Sequence, residues 1–417
     1  MRQTYEVRIL VIGGGGREHA LAWKLAQEAD VICAPGNVGI AEDVECVPIP
    51  QHDFAGILNL AKDRNVDLVV VGPEDPLIAG LGDALREQGF LVFGPSSVAA
   101  QLEGSKAFAK AMMQRAGVPT AAYQTFIDGN AAKEYVKGQY ADGKQVAIKA
   151  SGNALGKGVI VCPTLEEAIE GIDTLKALGE AGRTLVIEER LTGREFSLLT
   201  IVSDQGIHSL PVAQDYKRVF DDDQGPNTGG MGTYSPLSWL NNDIIVQVEN
   251  EIVSPIIKAF AEDKVPYRGI LFSGIMATSD GPKCIEYNVR FGDPETQTVM
   301  RRLGSGLANA LLQAAKGEEI TAVPVQAHHA VTIALASDGY PGAYDKGLPI
   351  KIGPLSTDIK LFHAGTSLSN GQLVTNGGRV LGVSAIGDSA ENARILAYQA
   401  VNQITFSGMH YRTDIGA

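Results

Sequence analysis

The chain has 417 residues, 45% of them hydrophobic and 20% charged, with a formal net charge of −13 at pH 7. That length exceeds a single hydrophobic core and predicts two to four domains of an ordinary soluble protein. The acidic balance excludes nucleic acid or an anionic membrane as partner, since both repel such a surface, but a local cluster of Lys, Arg and backbone N–H groups can still hold a small phosphorylated substrate.

From the N-terminus, strands alternate with helices. Residues 8–12 form a β-branched run that leads through Gly13–Gly16 into a helix over 18–29. Further strands over 30–34, 67–71 and 90–93 are separated by helices over 54–64 and 77–88, a pattern that predicts a parallel, doubly wound sheet over residues 1–103. Its strands end in Ala34-Pro35-Gly36-Asn37, Gly72-Pro73-Glu74 and Gly94-Pro95-Ser96, at the edge where open α/β sheets bind ligands. A second unit, 104–324, starts with a helix over 105–116. It contains a small α+β lobe at about 120–190, with strands 145–150, 158–162 and 184–189 around a helix at 165–178. Long strands over 195–203 and 207–212 follow, then an irregular stretch, 214–236, whose length marks it as functional. A helix over 243–261 precedes a hairpin, 268–278 and 283–291, turned at Asp280-Gly281, and helices over 294–302 and 306–315 close the unit. Residues 325–417 read as a smaller, β-rich α+β domain with one clear helix, 390–404. The fold class is thus α/β and α+β, multidomain.

Four cysteines, Cys33, Cys46, Cys162 and Cys284, lie far apart in sequence without a C-x-x-C pair, which excludes a zinc ribbon and suggests a reducing compartment. The first apolar run, 9–12, is too short for a signal sequence and no stretch approaches membrane-spanning length, so a cytoplasmic protein without a membrane partner is expected.

Five segments carry chemistry. Gly13-x-Gly15-x-x-Glu18 lacks the third glycine of a dinucleotide fingerprint, and Pro35-Gly36 stands where its acid belongs. The loop, with Gly15 and Gly16 opening a helix, remains an anion site by virtue of free N–H groups and the helix dipole. Lys149-Ala150-Ser151-Gly152-Asn153-Ala154-Leu155-Gly156-Lys157-Gly158 has the wrong spacing for a P-loop and joins two strands; it suits a lid over a triphosphate, with Lys149 on the inner phosphates and the backbone near Lys157 on the outer ones. Glu188 and Leu191, at the end of an apolar strand, can offer backbone groups to adenine, and Glu195 can accept both ribose hydroxyls. Glu286, Asn288 and Arg290 alternate on one strand face. Glu286 and Asn288 present hard oxygen ligands for Mg²⁺ or Mn²⁺, and Arg290 presents a fork for a carboxylate or phosphoryl oxygen. Gln214-Asp215-Tyr216-Lys217-Arg218 with Thr228-Gly229-Gly230 forms a second phosphate or carboxylate site, whereas Asp221 to Asp223 read as solvated loop charge.

In order along the chain, GGREHA (15–20), VGPE (71–74), QLEGSKAF (101–108), GKGV (156–159), QDYKR (214–218), PNTGGMG (226–232), RFGDPETQ (290–297), HAGT (363–366) and TNGGRVL (375–381) resemble the ATP-grasp superfamily and, within it, the phosphoribosylamine–glycine ligases, nearly collinearly over the whole chain. The resemblance implies an ATP-grasp core of two α+β lobes. Lys106 and Lys149 would contact the phosphates, Glu188 and Leu191 adenine, Glu195 ribose, and Glu286 with Asn288 the metal. It further implies transfer of the γ-phosphoryl of ATP to glycine and attack by phosphoribosylamine, with Lys149, Arg290 and Asp293 in the catalytic group. Gly15, Gly16, Asp215, Lys217, Arg218, Thr228, Gly229, Gly230, Arg290, Asp293 and Glu295 would contact the substrates. Which of Asp215, Asp293 and Glu295 takes the amine's proton stays open, as does the loop that holds the sugar phosphate; a monomer is the working expectation. Three positions depart from the superfamily pattern: Gly274 where a further metal acid is usual, Ser151 for an Asp, and Arg194 for an acid. Another ATP-grasp carboxylate–amine ligase and, more remotely, an NAD-dependent oxidoreductase are the alternatives.

Overall fold

The computed structural model describes residues 6–152 and 158–417; Lys157 and the tip of the glycine-rich hairpin lie outside the described residues. Strands Arg8–Gly13, Asp30–Pro35, Leu68–Val71 and Leu91–Phe93 form a parallel sheet, extended at one edge by Glu45–Cys46. Helices cover both faces, so Ile9, Leu10, Val11 and Ile12 are all fully buried and the strand reads as a continuous apolar run. Arg8–Gly13 lies between Asp30–Pro35 and Leu68–Val71, so the chain reverses its direction of winding at this strand. The loops from Gly13 and Gly72 therefore meet at the switch point. The helix expected over 77–88 is two, Glu74–Ile78 and Leu81–Glu87, because Gly80 adopts a left-handed φ of 93° that breaks the hydrogen-bond ladder.

The small lobe is an antiparallel sheet in the order Tyr123–Phe126, Leu185–Glu189, Val146–Ala150, Val159–Cys162, packed by helices Gly129–Ala141 and Leu165–Lys176. Its buried apolar residues, including Ala132, Ile148, Ile172 and Leu185, make a core of their own. The larger lobe is the antiparallel sheet Gly206–Ser209, Arg194–Ser203, Gly269–Thr278, Gly281–Asn288. Between its first two strands in the chain and its hairpin, the helix expected over 243–261 opens into a π turn at Glu249–Val253, just ahead of Pro255. Proline has no N–H to donate and its ring crowds the carbonyl four residues back, which the wider turn relieves.

The third sheet joins segments far apart in sequence. Its C-terminal strands Ile359–His363, Arg379–Gly387 and His329–Ala336 continue into Gly232–Ser235 and Gln214–Asp215, from the irregular stretch. That stretch is thus tied at both ends to the C-terminal unit, with helix Ala390–Val401 packed over the sheet. Asp221 and Asp223 are also engaged. Thr413 N–H donates to Asp221 at 2.8 Å, and Asp223 pairs with Arg412, 1% exposed, at 2.8 Å. Sequence reading took them for solvated charge because their partners are nearly two hundred residues away.

Arg412 also pairs with Asp414 at 2.5 Å and lies over the Tyr216 ring at 4.8 Å. Arg412→Met, which keeps the stem and removes the charge, should lower unfolding free energy by about 2 kcal/mol in urea titrations, the scale of charged hydrogen bonds lost from a buried site. A loss below about 0.5 kcal/mol, as for an ordinary surface change, would refute the anchoring role.

Candidate active site

The last strand of the larger lobe forms the floor. Tyr287 and Val289 are buried on one side, while Glu286, Asn288 and Arg290 face the other, as the period-two pattern requires. The pairing shifts register next to Gly274, which stands opposite Glu286. A Cβ at Gly274 would already lie 3.2 Å from Glu286 Cγ, so this position supplies space and no ligand.

Cations surround Glu286 from three directions. Lys217 Nζ, from the irregular stretch, lies 3.7 Å from Glu286 Oε1 and 3.1 Å from Glu195 Oε2. Lys149, on the lid strand Val146–Ala150, donates to the Ile285 carbonyl at 3.3 Å, and Lys106 opens helix Lys106–Ala116 nearby. Burial alone would raise the Glu286 carboxyl; Lys217, then Lys149, Lys106 and Arg290, outweigh it and hold it below the usual range. Ser151, the departure from the more usual Asp, fastens the lid to that helix: its Oγ accepts the Ala107 N–H at 3.0 Å and its carbonyl the Lys106 N–H at 2.9 Å.

Glu188 sits in the central strand of the lid sheet, 4% exposed, between Lys149 at 3.0 Å and Lys110 at 3.1 Å. Its side chain therefore positions Lys149, which the sequence did not foretell, and Lys110 went unnoticed altogether. Leu191 lies just beyond that strand, half-buried. Arg290 is gripped by two acids that sequence reasoning gave no role, Glu103 at 2.8 Å and Glu74 at 3.2 Å. Burial, opposed by Arg290, raises Glu103 to about 7; for Glu74, burial is outweighed by Arg290 and Arg17, which lower it. The signal available was an acid in otherwise small or apolar company, in VGPE and QLEGSKAF.

A second charge cluster adjoins the first. Asp293 pairs at 3.0 Å with Arg379, another residue missed, which also donates to the Gly229 carbonyl at 2.6 Å. Glu295, 3% exposed, accepts from Ser197 Oγ at 3.0 Å. Asp215 Oδ1 is buried without a hydrogen-bond partner, beneath Gly230, where a Cβ would stand 2.7 Å from it. Burial and then the neighbouring Glu295 raise Asp215 well above the carboxylate range, and burial raises Glu295 as well. Thr228 is occupied within the loop: its hydroxyl donates to the Lys217 carbonyl at 2.8 Å and accepts the Gly230 N–H at 2.9 Å.

Two expectations change. Arg218 is not among these groups; it donates to Gly225 O at 2.6 Å and lines a separate cavity of about 710 Å³ with Val159, Phe220 and Tyr340. The helix start after Gly15 is partly filled by the chain itself, since Glu18 Oε2 accepts the Gly15 N–H at 2.7 Å and Arg17 neutralises Glu18 at 2.6 Å. A pyrophosphate there would meet this carboxylate, which disfavours the dinucleotide reading. The adjacent cleft, about 500 Å³, runs between Gly14, Asn37, Thr366 and Asn376, with Gly16 against Gln297.

A separately cored lid that brings a lysine toward an ionised carboxylate of a second antiparallel lobe is the arrangement of an ATP-grasp carbon–nitrogen ligase. The biotin carboxylase domain of Hydrogenobacter thermophilus 2-oxoglutarate carboxylase shares the fold at 19% identity, with a TM-score of 0.72 over 98% of this chain and 92% of that one. Residues 7–103, 104–296 and 330–417 match the N domain, the ATP-grasp (A) domain and the C domain of phosphoribosylglycinamide synthetase, and the chain belongs to that family. Relatives named phosphoribosylamine–glycine ligase include one from Rhodopirellula baltica, 45% identical over 98% of this chain and 96% of its own length. Another, from Agrobacterium fabrum, is 46% identical over 98% of both. The crystal structure of the Thermotoga maritima ligase, 35% identical, matches with a TM-score of 0.86 over 98% of this chain and 100% of that one.

Glu103 makes a pH prediction. Its folded pKa, about 7, lies above that of an unfolded glutamate, so its contribution to stability is full at low pH and is lost as pH rises through 7. Glu103→Gln should flatten the dependence of Tm on pH between about 4.5 and about 7 relative to the parent. Parallel curves in that window would exclude the assignment.

Proposed function

We propose that the chain joins glycine to 5-phosphoribosylamine with ATP, giving glycinamide ribonucleotide, ADP and phosphate, a step of purine synthesis. The observation that carries the chemistry is the ionised Glu286 ringed by Lys106, Lys149 and Lys217, beside Asn288 and Arg290. Glycine's carboxylate is a poor electrophile. One of its oxygens attacks the γ-phosphorus of ATP, the bond to the ADP oxygen breaks, and glycyl phosphate forms. The sugar amine then attacks the acyl carbon, loses a proton and expels inorganic phosphate. Lys106 and Lys149 balance charge on the phosphates; Leu191 and the strand at Glu188 border adenine, and Glu195 accepts the ribose hydroxyls.

The donors at Glu286 and Asn288 fit a divalent cation. One is ionised, one is a neutral amide, and they share a strand face, while the remaining ligands would come from ATP oxygens. Among the described residues no group of three or more His, Cys, Asp or Glu could hold a metal without the nucleotide. The ion supplies charge neutralisation, and we take it to be Mg²⁺, with Mn²⁺ as substitute.

Asp215 and Glu295 are the groups suited to glycine's ammonium: two adjacent buried carboxyls, one with an oxygen lacking a partner. Gly230 lies directly over Asp215, and Lys217 and Arg290 are close enough to Glu295 to take the substrate's carboxylate. Phosphoribosylamine enters from the cleft beside Gly15, Gly16 and Asp293. We further place the enzyme in the cytoplasm as a monomer; among the described residues no helix is long and apolar enough to cross a membrane.

ADP release should require glycine and phosphoribosylamine together; release indifferent to either would overturn the reading. Glu286→Ala should lower kcat by at least about a hundredfold, the scale of a lost electrostatic stabiliser, with an unchanged thermal transition. Asp215→Asn should raise KM for glycine about tenfold or more, the loss of one charge-assisted contact, and leave KM for ATP near that of the parent. Equal changes in both would place Asp215 outside the glycine site.

A further inference from the structure

Cys33 and Cys46 are not used by this chemistry, and the fold sets them side by side. They are direct partners in register on neighbouring parallel strands, and the same glycine, Gly36, packs against both side chains. Adjacent strands hold their Cα atoms about 4.8 Å apart, inside the span a disulfide bridges. Cys33 is fully buried, with its sulfur 3.3 Å from the Gly13 carbonyl oxygen; Cys46 is half-buried, 3.9 Å from that of Asn37, and borders the cleft beside Gly14. Gly36, at a left-handed φ of 71°, covers the pair so closely that a Cβ there would lie 2.3 Å from Cys46 Sγ. Asn37 continues the same turn, donating to Gly14 O at 2.8 Å and to His363 O at 2.7 Å.

We propose that Cys33 and Cys46 are an oxidisable dithiol, closed to a disulfide by oxidants of the peroxide class, and that closure deforms the Gly36–Asn37 wall of the cleft. The Cys46 thiolate attacks a peroxide oxygen, the O–O bond breaks, and a sulfenic acid forms as hydroxide leaves and takes up a proton. The Cys33 thiol then attacks that sulfur; the S–S bond forms, the S–O bond breaks, and a second water departs with the Cys33 proton. Two thiols and one hydrogen peroxide thus give one disulfide and two waters. Cys46 is the partly exposed member of a pair set in register and is lowered by the neighbouring Cys33, whereas Cys162 and Cys284 are fully buried and pushed up by burial to about 11 and about 12, so attack falls on the pair. A disulfide leaves neither sulfur a proton to donate, so the contacts to Gly13 O and Asn37 O are lost. The kinetic consequence rests on the reading of this cleft as the phosphoribosylamine site.

The full-length enzyme is titrated with hydrogen peroxide and digested without reduction. A Cys33–Cys46 cross-linked peptide is expected, reversed by dithiothreitol, while Cys162 and Cys284 stay free. Loss of native thiols without that cross-link overturns the proposal. In parallel, KM for phosphoribosylamine should rise several-fold and KM for ATP should not. Cys33→Ala, with Cys33→Ser as a second variant should the alanine unfold, should keep its amine KM after the same treatment; a rise equal to that of the parent overturns the coupling. Ribose 5-phosphate competing with the amine in the reduced enzyme checks the cleft assignment separately; absence of competition there sinks that assignment and leaves the cross-link result standing.

Discussion

An ionised carboxylate taken out of water is unfavourable by several kcal/mol unless cations compensate it, and at Glu286 the cations come from elsewhere in the fold. Lys149 arrives on the lid sheet, Lys106 at the start of a helix, and Lys217 on a stretch fastened to the C-terminal sheet. Together they outweigh the effect of burial and hold the carboxyl below its usual range. The balance works in both directions, because Lys106 is lowered by burial, and Glu286 is the foremost group opposing that effect. Charge balance at one strand face therefore depends on groups that separate segments of the chain bring together.

The neighbouring ion pairs extend the same logic. Arg290 is held by Glu74 from the N-terminal sheet's switch point and by Glu103 from the helix that follows that sheet, and Asp293 by Arg379 from the C-terminal sheet. Each pair spans more than eighty residues of sequence, so the floor of the site is where the N-terminal, central and C-terminal units are joined. The apolar cores join the same units. One cluster runs through residues of all three units, whereas the lid has a separate core. A body rigid through shared packing and a lid with its own packing allow the lid to move as a unit over the nucleotide without disturbing the body.

The acid–acid neighbours Asp215 and Glu295 have the opposite character. Among the described residues no cation pairs with the buried oxygen of Asp215; burial and then Glu295 raise Asp215, and burial raises Glu295. Such an arrangement is unfavourable in the free protein, and a cationic ligand would relieve it.

Local periodicity and turn chemistry were enough to place most strands and helices, because alternation at Glu286, Asn288 and Arg290, continuous apolar runs in the parallel sheet and glycine punctuation act over a few residues. Errors fell where a local pattern met a non-local or stereochemical constraint, as at Gly80 and Pro255, or where an irregular stretch found its strand partner a hundred residues later, as Gly232–Ser235 does with His329–Ala336. At the site, polar residues interrupting an apolar strand were visible in the sequence. Glu74, Glu103, Lys110 and Arg379 were not singled out, because an isolated charge in a loop or helix gives no sign of what it will face. The sequence by itself determined the alternation of elements, the polar face of the last strand and, through ordered motifs, the family. Tertiary structure decided which charges meet: Glu188 with two lysines, Glu18 across its own helix start, Arg218 away from the site, and Cys33 beside Cys46. Those outcomes depend on pairings between distant segments, and the electrostatic energy of a group is set by the neighbours that folding brings within a few ångströms of it.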